Sequence, residues 1–148
     1  MFTKKIKYTD YAGETREEEY QFNMTKAEVV EWQYSIKGGI NNLFHKIVNE
    51  NDQPGLVTMI KDLIARSYGE VSLDGRKFVK KRNGIPLFEE FEASPAYDVL
   101  FMELVQDEKA AAEFLNGLMP DDMVAAMAAQ EAGLDVTVPM TNAAGNTR

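Results

Sequence analysis

Side chains that could do chemistry are few in this chain of 148 residues. It has one histidine, His45, and no cysteine, so a thiolate metal site, a cysteine nucleophile and a disulfide are all excluded. His45 follows Phe44 in a segment with helical spacing, where a surface or half-buried structural histidine is the ordinary interpretation. A metal site would need carboxylates alone, and the sequence lacks the Asp-x-Asp-x-Asp-Gly pattern of a calcium loop.

Acidic residues do not form a catalytic pair. Glu89-Glu90 and Asp121-Asp122 are adjacent in sequence, so their carboxylates point in different directions on a helix. Glycoside hydrolysis needs two carboxylates on either side of one bond, and no spacing here provides them. Gly38-Gly39 lacks the Lys-Ser/Thr ending of a phosphate-binding loop, and no serine lies in Gly-x-Ser-x-Gly. The residues predict a protein that is not an enzyme and uses no metal or cofactor.

A basic run at residues 76–82 (RKFVKKR) holds five Lys/Arg side chains. One interpretation is a strip that contacts phosphates. The other, which we favour because the rest of the chain is acidic, is a solvated loop paired with Glu89, Glu90 and Glu92.

A methionine stripe is the candidate partner-binding site. Met119, Met123 and Met127 recur every four residues, and Val124 lies beside Met123. Flexible thioethers on one helical face suit a surface that binds several related apolar segments. The alternative is that these side chains pack on the protein's own core.

Charge is unevenly distributed along the chain. The net charge is −8, with 14 Lys/Arg and 12 Asp/Glu in residues 1–82 but only 2 Lys/Arg and 12 Asp/Glu in residues 83–148. The acidic half repels nucleic acid, and it serves either as a solvated surface or as a face for a basic partner. The charged N-terminus is unlike a secretory signal, and no apolar run is long enough to span a membrane. We therefore expect a cytosolic protein.

The N-terminal residues alternate as a β-hairpin does. Apolar side chains share a parity on each side of a turn at residues 10–14, namely Phe2, Ile6 and Tyr8 before it and Tyr20, Phe22 and Met24 after it. This period of two predicts strands with one buried face. A lone hairpin is marginally stable, so we expect it to pack either on helices or on another chain's strands. In the second case its edge would pair with a neighbouring copy.

A capping box at residues 25–28 (TKAE) begins the first helix, with Met24 and Val29 as the flanking hydrophobic staple. We expect this helix to end near Ser35, before Gly38-Gly39, and Val29, Val30 and Trp32 to supply its apolar area. Apolar periodicity predicts two further helices at residues 40–49 and from Pro54 to about Tyr68. Four more are predicted to begin after Pro86, after Ser94 as N-cap, after Asp107 as N-cap, and at Pro120. Gly117 suits a helix C-cap, and residues 69–85 are predicted to be irregular.

These patterns predict an α+β fold that is mostly helical. The N-terminal β-hairpin (residues 1–24) is expected to pack on a bundle of about five to six short helices, which completes a single domain of residues 1–133. Residues 134–148 are small, polar and aperiodic, so they predict a flexible C-terminal tail.

Four segments resemble the tail assembly chaperones of long-tailed bacteriophages and prophages. They are residues 20–28 (YQFNMTKAE), 68–78 (YGEVSLDGRKF), 96–104 (AYDVLFMEL) and 110–120 (AAAEFLNGLMP). Their order and spacing carry the resemblance, which spans about residues 4–120. The sequence departs from the family pattern at residues 83–86 (NGIP), where a more acidic helix start is expected.

The resemblance implies a non-enzymatic assembly factor of the host cytoplasm. Such proteins coat the tape measure protein before tail tube subunits polymerise around it, and they are absent from the mature virion. Many are made in two lengths by a ribosomal frameshift, the longer form recruiting tail tube protein, and this chain would match the short form. We expect apolar grooves between short helices to hold the tape measure protein. The alternatives are a virion structural protein, such as a head–tail connector or minor tail component, and an acidic mimic of DNA.

Overall fold

The computed structural model describes residues 1–119. These residues form the predicted α+β fold, in which strands precede and interrupt a larger set of helices. The strands are β1 (Phe2–Thr9), β2 (Thr15–Phe22), β3 (Tyr68–Val71), β4 (Phe78–Val79), β5 (Lys81–Arg82) and β6 (Ile85–Pro86). The helices are α1 (Lys26–Ser35), α2 (Ile40–Asn49), α3 (Gln53–Ser67), α4 (Leu87–Glu92), α5 (Pro95–Gln106) and α6 (Glu108–Leu118).

The β-hairpin is confirmed. β1 and β2 pair antiparallel from Phe2 opposite Phe22 to Thr9 opposite Thr15, which puts the predicted apolar parity on one face. Asp10 shapes the turn, because its Oδ1 atom accepts hydrogen bonds from the backbone N–H groups of Ala12 and Glu14.

The prediction of irregular structure at residues 69–85 is wrong. β3 pairs with β2, and β4 pairs with β3, so the hairpin grows into an antiparallel sheet of order β1-β2-β3-β4. β5 and β6 form a separate hairpin whose turn residues Asn83 and Gly84 have φ of 54° and 79°. Two-residue strands are too short to show a period, although Asn-Gly is itself a signal for a tight hairpin turn.

The helix bounds agree with the sequence, but two caps do not. Thr25 and Glu28 form the complete capping box, and Asp107 caps α6 through the backbone N–H of Lys109. Ser94 precedes α5 without capping it, since its hydroxyl donates to the carbonyl of Phe91. Gly117 lies inside α6 rather than at a C-cap, because the helix continues to Leu118. A Cβ at Gly117 would lie 2.8 Å from the Phe2 ring, so glycine there permits close packing against β1.

The core lies between one face of the sheet and the helices. Phe22 is fully buried, and the rings of Tyr68 and Phe91 stack with centroids 4.4 Å apart. Burial raises the pKa of Tyr68 to about 12. Of the apolar residues on α1, Val29 and Trp32 are buried, whereas Val30 is 39% exposed.

The predicted helix after Pro120 and the predicted tail of residues 134–148 lie outside the described residues. The domain boundary at residue 133 lies outside them too and stays a prediction.

Candidate functional site

An apolar cleft of about 490 Å³ lies between α1, α2 and α3. Trp32, Ile47 and Met59 line it as buried side chains, from one helix each. Ile36 and Leu43 also line it and are half-buried. Apolar clefts between helices with a few polar groups at the rim are a common form of binding site.

Short-range hydrogen bonds hold the three helices in place around this cleft. Gly38 and Gly39 have φ of 86° and 89°, which lets the chain reverse between α1 and α2. The Gln33 side chain then caps α2, because its Oε1 atom accepts a 2.8 Å hydrogen bond from the backbone N–H of Ile40. Asp52 caps α3 by accepting a hydrogen bond of 3.0 Å from the backbone N–H of Gly55.

The rim of the cleft is polar and contains both signs of charge. The guanidinium of Arg66 lies 5.3 Å from the ring centroid of Trp32, a cation–π contact. Its Nε atom also pairs with the Oδ2 atom of Asp62 at 3.0 Å. The polar lining also includes Asp52, Asp62, Thr58 and Ser35. Two carboxylates and the Arg66 guanidinium therefore surround the apolar floor of the cleft. This arrangement can bind an apolar helix face and carries no reactive constellation.

The candidate partner-binding residues are only partly described. Met119 is 5% exposed and belongs to the hydrophobic core, so it anchors the end of α6. Met123, Val124 and Met127 lie outside the described residues. The sequence did not single out the cleft residues, although the apolar faces of α2 and α3 and the single Trp were visible signals for it.

The basic run of residues 76–82 is not one continuous strip. Lys80 turns towards α1 and α3, where its ammonium contacts Glu28 at 2.9 Å and the Arg66 carbonyl at 2.6 Å. Arg82 pairs with Glu70 at 3.3 Å. We expected the basic run to pair with Glu89, Glu90 and Glu92, and this prediction is wrong for the ion pairs that Lys80 and Arg82 form. Glu92 pairs with Lys61 of α3 instead. The partners differ because β3 and α1 lie closer to the run than the sequence indicates.

His45 lies exposed on α2, with its ring edge-on to Phe44. Within residues 1–119, no three His, Cys, Asp or Glu side chains come together in a way that could hold a metal ion. Over the same residues, none of the helices has the length and apolar character needed to cross a membrane.

Comparison with protein families matches residues 1–147 to the family described as phage tail assembly chaperone. The chain belongs to this family. The match covers almost the whole sequence, including the residues outside the described structure, and it confirms the resemblance drawn from the four sequence segments. The protein therefore acts in bacteriophage tail assembly, and membership implies interaction with tail proteins. No curated protein and no solved structure gives a significant match.

Proposed function

We propose that this tail assembly chaperone binds the tape measure protein and keeps it soluble until the tail tube forms. The family match over residues 1–147 is the observation that carries this proposal. The protein would act in the host bacterial cytoplasm without catalysis or a cofactor, and it would be absent from the mature virion. A frameshifted longer form would bring in tail tube protein.

The cleft between α1, α2 and α3 is the surface on the described residues that best suits this role. A tape measure protein is long and helical, and an amphipathic helix binds by laying its apolar face in such a groove. Half-buried Ile36 and Leu43 supply apolar side chains that a partner can contact, above a floor that contains buried Trp32 and Met59. We propose that Met123, Val124 and Met127 extend this binding surface, with Met119 holding their segment to the core.

Acidic side chains on the later helices would keep the complex soluble. Residues 83–119 hold eight Asp/Glu and one Lys, and Glu89, Glu90, Glu103, Glu108 and Glu113 are all exposed. Net charge of one sign opposes the association of coated chains with one another. The apolar cleft would then bind the tape measure protein, and the acidic helices would keep the complex in solution.

Co-expression with the tape measure protein tests the function, and a pair of adjacent variants tests the cleft. Thr58 lines the cleft and is exposed, so Thr58→Trp fills it without removing a core side chain. Val57, 40% exposed on the same helix, does not line the cleft, so Val57→Trp is the matched control. We expect Thr58→Trp to weaken binding at least about tenfold, or roughly 1.4 kcal/mol, and Val57→Trp to leave it unchanged.

The outcomes separate the function from the site. If the unaltered chain neither solubilises the tape measure protein nor elutes with it, the proposed function is wrong. If the unaltered chain and Thr58→Trp both do so equally, the function stands and the cleft is not the site. A virion structural protein would remain in the particle, so mass spectrometry of purified virions separates that alternative.

A further inference from the structure

A tightly hydrogen-bonded turn at residues 72–77 joins β3 to β4. The Ser72 hydroxyl donates to the Oδ1 atom of Asp74 at 2.7 Å, and the same Oδ1 atom accepts a 3.0 Å hydrogen bond from the backbone N–H of Arg76. The backbone N–H of Ser72 donates to the carbonyl of Lys77 at 2.8 Å and closes the turn. A turn held in one conformation loses little conformational entropy when it binds a partner.

The tip of this turn carries an apolar side chain. Leu73 is fully exposed, so it does not enter the cleft of its own chain. A single exposed apolar side chain is ordinary on a protein surface. A leucine held at the tip of a fixed turn also has the shape of an anchor that fills a pocket in a partner.

The turn carries one net positive charge. Arg76 and Lys77 follow the tip and are exposed, and Asp74 supplies the one carboxylate of residues 72–77. At the base of the turn, Glu70 and Arg82 pair with each other at 3.3 Å and add no net charge. The tip therefore presents an apolar side chain with cations beside it.

The cleft between α1, α2 and α3 complements this turn in shape and in charge. It is concave, and half-buried Ile36 and Leu43 offer apolar contact inside it. At its rim Asp62 pairs with Arg66, so the carboxylate of Asp52 leaves one net negative charge. An apolar tip with a cation beside it therefore matches this cleft.

We propose that the turn of one copy docks in the cleft of a second copy of this chain, with Leu73 on the apolar floor and Arg76 or Lys77 at Asp52. Both surfaces belong to residues 1–82, which hold 14 Lys/Arg and 12 Asp/Glu, so the contact avoids the acidic helices that would repel a second copy. The turn and the cleft are different surfaces, so each copy contacts one neighbour through each of them. The interface is small, and the association is therefore weak and reversible.

This contact covers the apolar cleft of a free chaperone. A tape measure helix bound in the same cleft would exclude the turn, so copies on the tape measure protein would not join one another in this way. The exclusion rests on the proposed function, whereas the self-association of the free chain does not.

Sedimentation equilibrium of the full-length chain, without the tape measure protein, tests the contact. The mass of the unaltered chain is expected to rise with concentration up to about 1 mM, the range in which weak complexes form. Leu73→Ser in the turn and Thr58→Trp in the cleft are each expected to weaken association at least about tenfold. Tyr11→Ser, at the 88% exposed tip of the β1–β2 hairpin, and Val57→Trp are the matched controls and are expected to associate as the unaltered chain does.

A mixture of the two weakened variants identifies the surfaces that meet. Thr58→Trp keeps the turn and Leu73→Ser keeps the cleft, so together they are expected to form a pair that neither forms alone. Both substituted positions are exposed, and urea unfolding of each variant checks that the fold is kept. An unaltered chain that stays monomeric, a Leu73→Ser variant that associates normally, or a mixture that forms no pair overturns the proposal. Leu73→Ser leaves the cleft open, so its binding to the tape measure protein tests the proposed function separately.

Discussion

The side-chain Oε1 atom of Gln33 accepts a hydrogen bond of 2.8 Å from the backbone N–H of Ile40, so a residue of α1 caps α2. Gly39, the residue at the N-cap position, has no side chain that could do so. A Cβ at Gly39 would lie 2.5 Å from Gln33 Nε2, so the glycine also makes room for this amide. This contact joins two helices that line the cleft.

We expect Gln33→Ala to lower the free energy of unfolding by about 1 kcal/mol, the usual effect of losing a helix cap. Urea unfolding followed by the fluorescence of Trp32, which is buried at the cleft, measures the change. Gln106→Ala, at the exposed end of α5, is the control and is expected to change stability by less than about 0.5 kcal/mol. Equal losses in both variants would contradict the capping role.

Glu28 gives stability a defined pH dependence. Burial by itself raises the pKa of Glu28. Hydrogen bonds from the Thr25 backbone and the Lys80 ammonium together outweigh this effect, so the pKa lies below its ordinary value. The contribution of the carboxylate is therefore complete above the unfolded pKa of about 4.3 and is lost as pH falls through the folded pKa.

Glu28→Gln is accordingly expected to lose less stability than the unaltered chain between about pH 5 and pH 3, because it has no carboxylate to protonate. The pair with Lys80 is partly exposed, so the loss at neutral pH is expected to stay below about 1 kcal/mol. Glu31→Gln, at an exposed position on the same helix, controls for the change in net charge. Matching acid profiles for the two variants would refute the assignment.

Gly117→Ala tests whether this glycine serves packing rather than a helix cap. Alanine favours a helix by up to about 1 kcal/mol over glycine, but here its Cβ would meet the Phe2 ring at 2.8 Å. We expect a net loss of about 1–2 kcal/mol in unfolding free energy, as for an overpacked core. In a Phe2→Ala background the clash is gone, so the same substitution is expected to stabilise. A loss of equal size in both backgrounds would point to backbone conformation instead.

Gly69→Ala is expected to detach β4 from β3. An added Cβ would lie 2.4 Å from the backbone carbonyl oxygen of Val79, which cannot move without breaking the strand pair. We expect a loss of about 1–3 kcal/mol and faster proteolysis in the loop of residues 72–77. Gly75→Ala is the control, since its φ of 75° is strained but its surroundings are open. It is expected to lose only about 1 kcal/mol and to leave the loop resistant.

Local signals in the sequence were enough for most elements of this protein. The alternation around residues 10–14, the capping box at Thr25 and Glu28, and the Asp107 cap are all confirmed. Each depends on groups a few residues apart, whose geometry follows once the backbone enters a strand or helix. The family likewise followed from short segments in their order along the chain.

Tertiary structure decided the strand pairings, ion pairs and packing contacts between residues that are far apart in the sequence. β3 joins the sheet only because α3 returns the chain to the edge of β2, and Lys80 finds Glu28 only after that return. The role of Gly117 is set by Phe2 at the other end of the described chain. Sequence period reports which side of an element is buried, but it does not report the neighbour against which that side packs. The cleft, assembled from three helices, therefore emerged only from the fold.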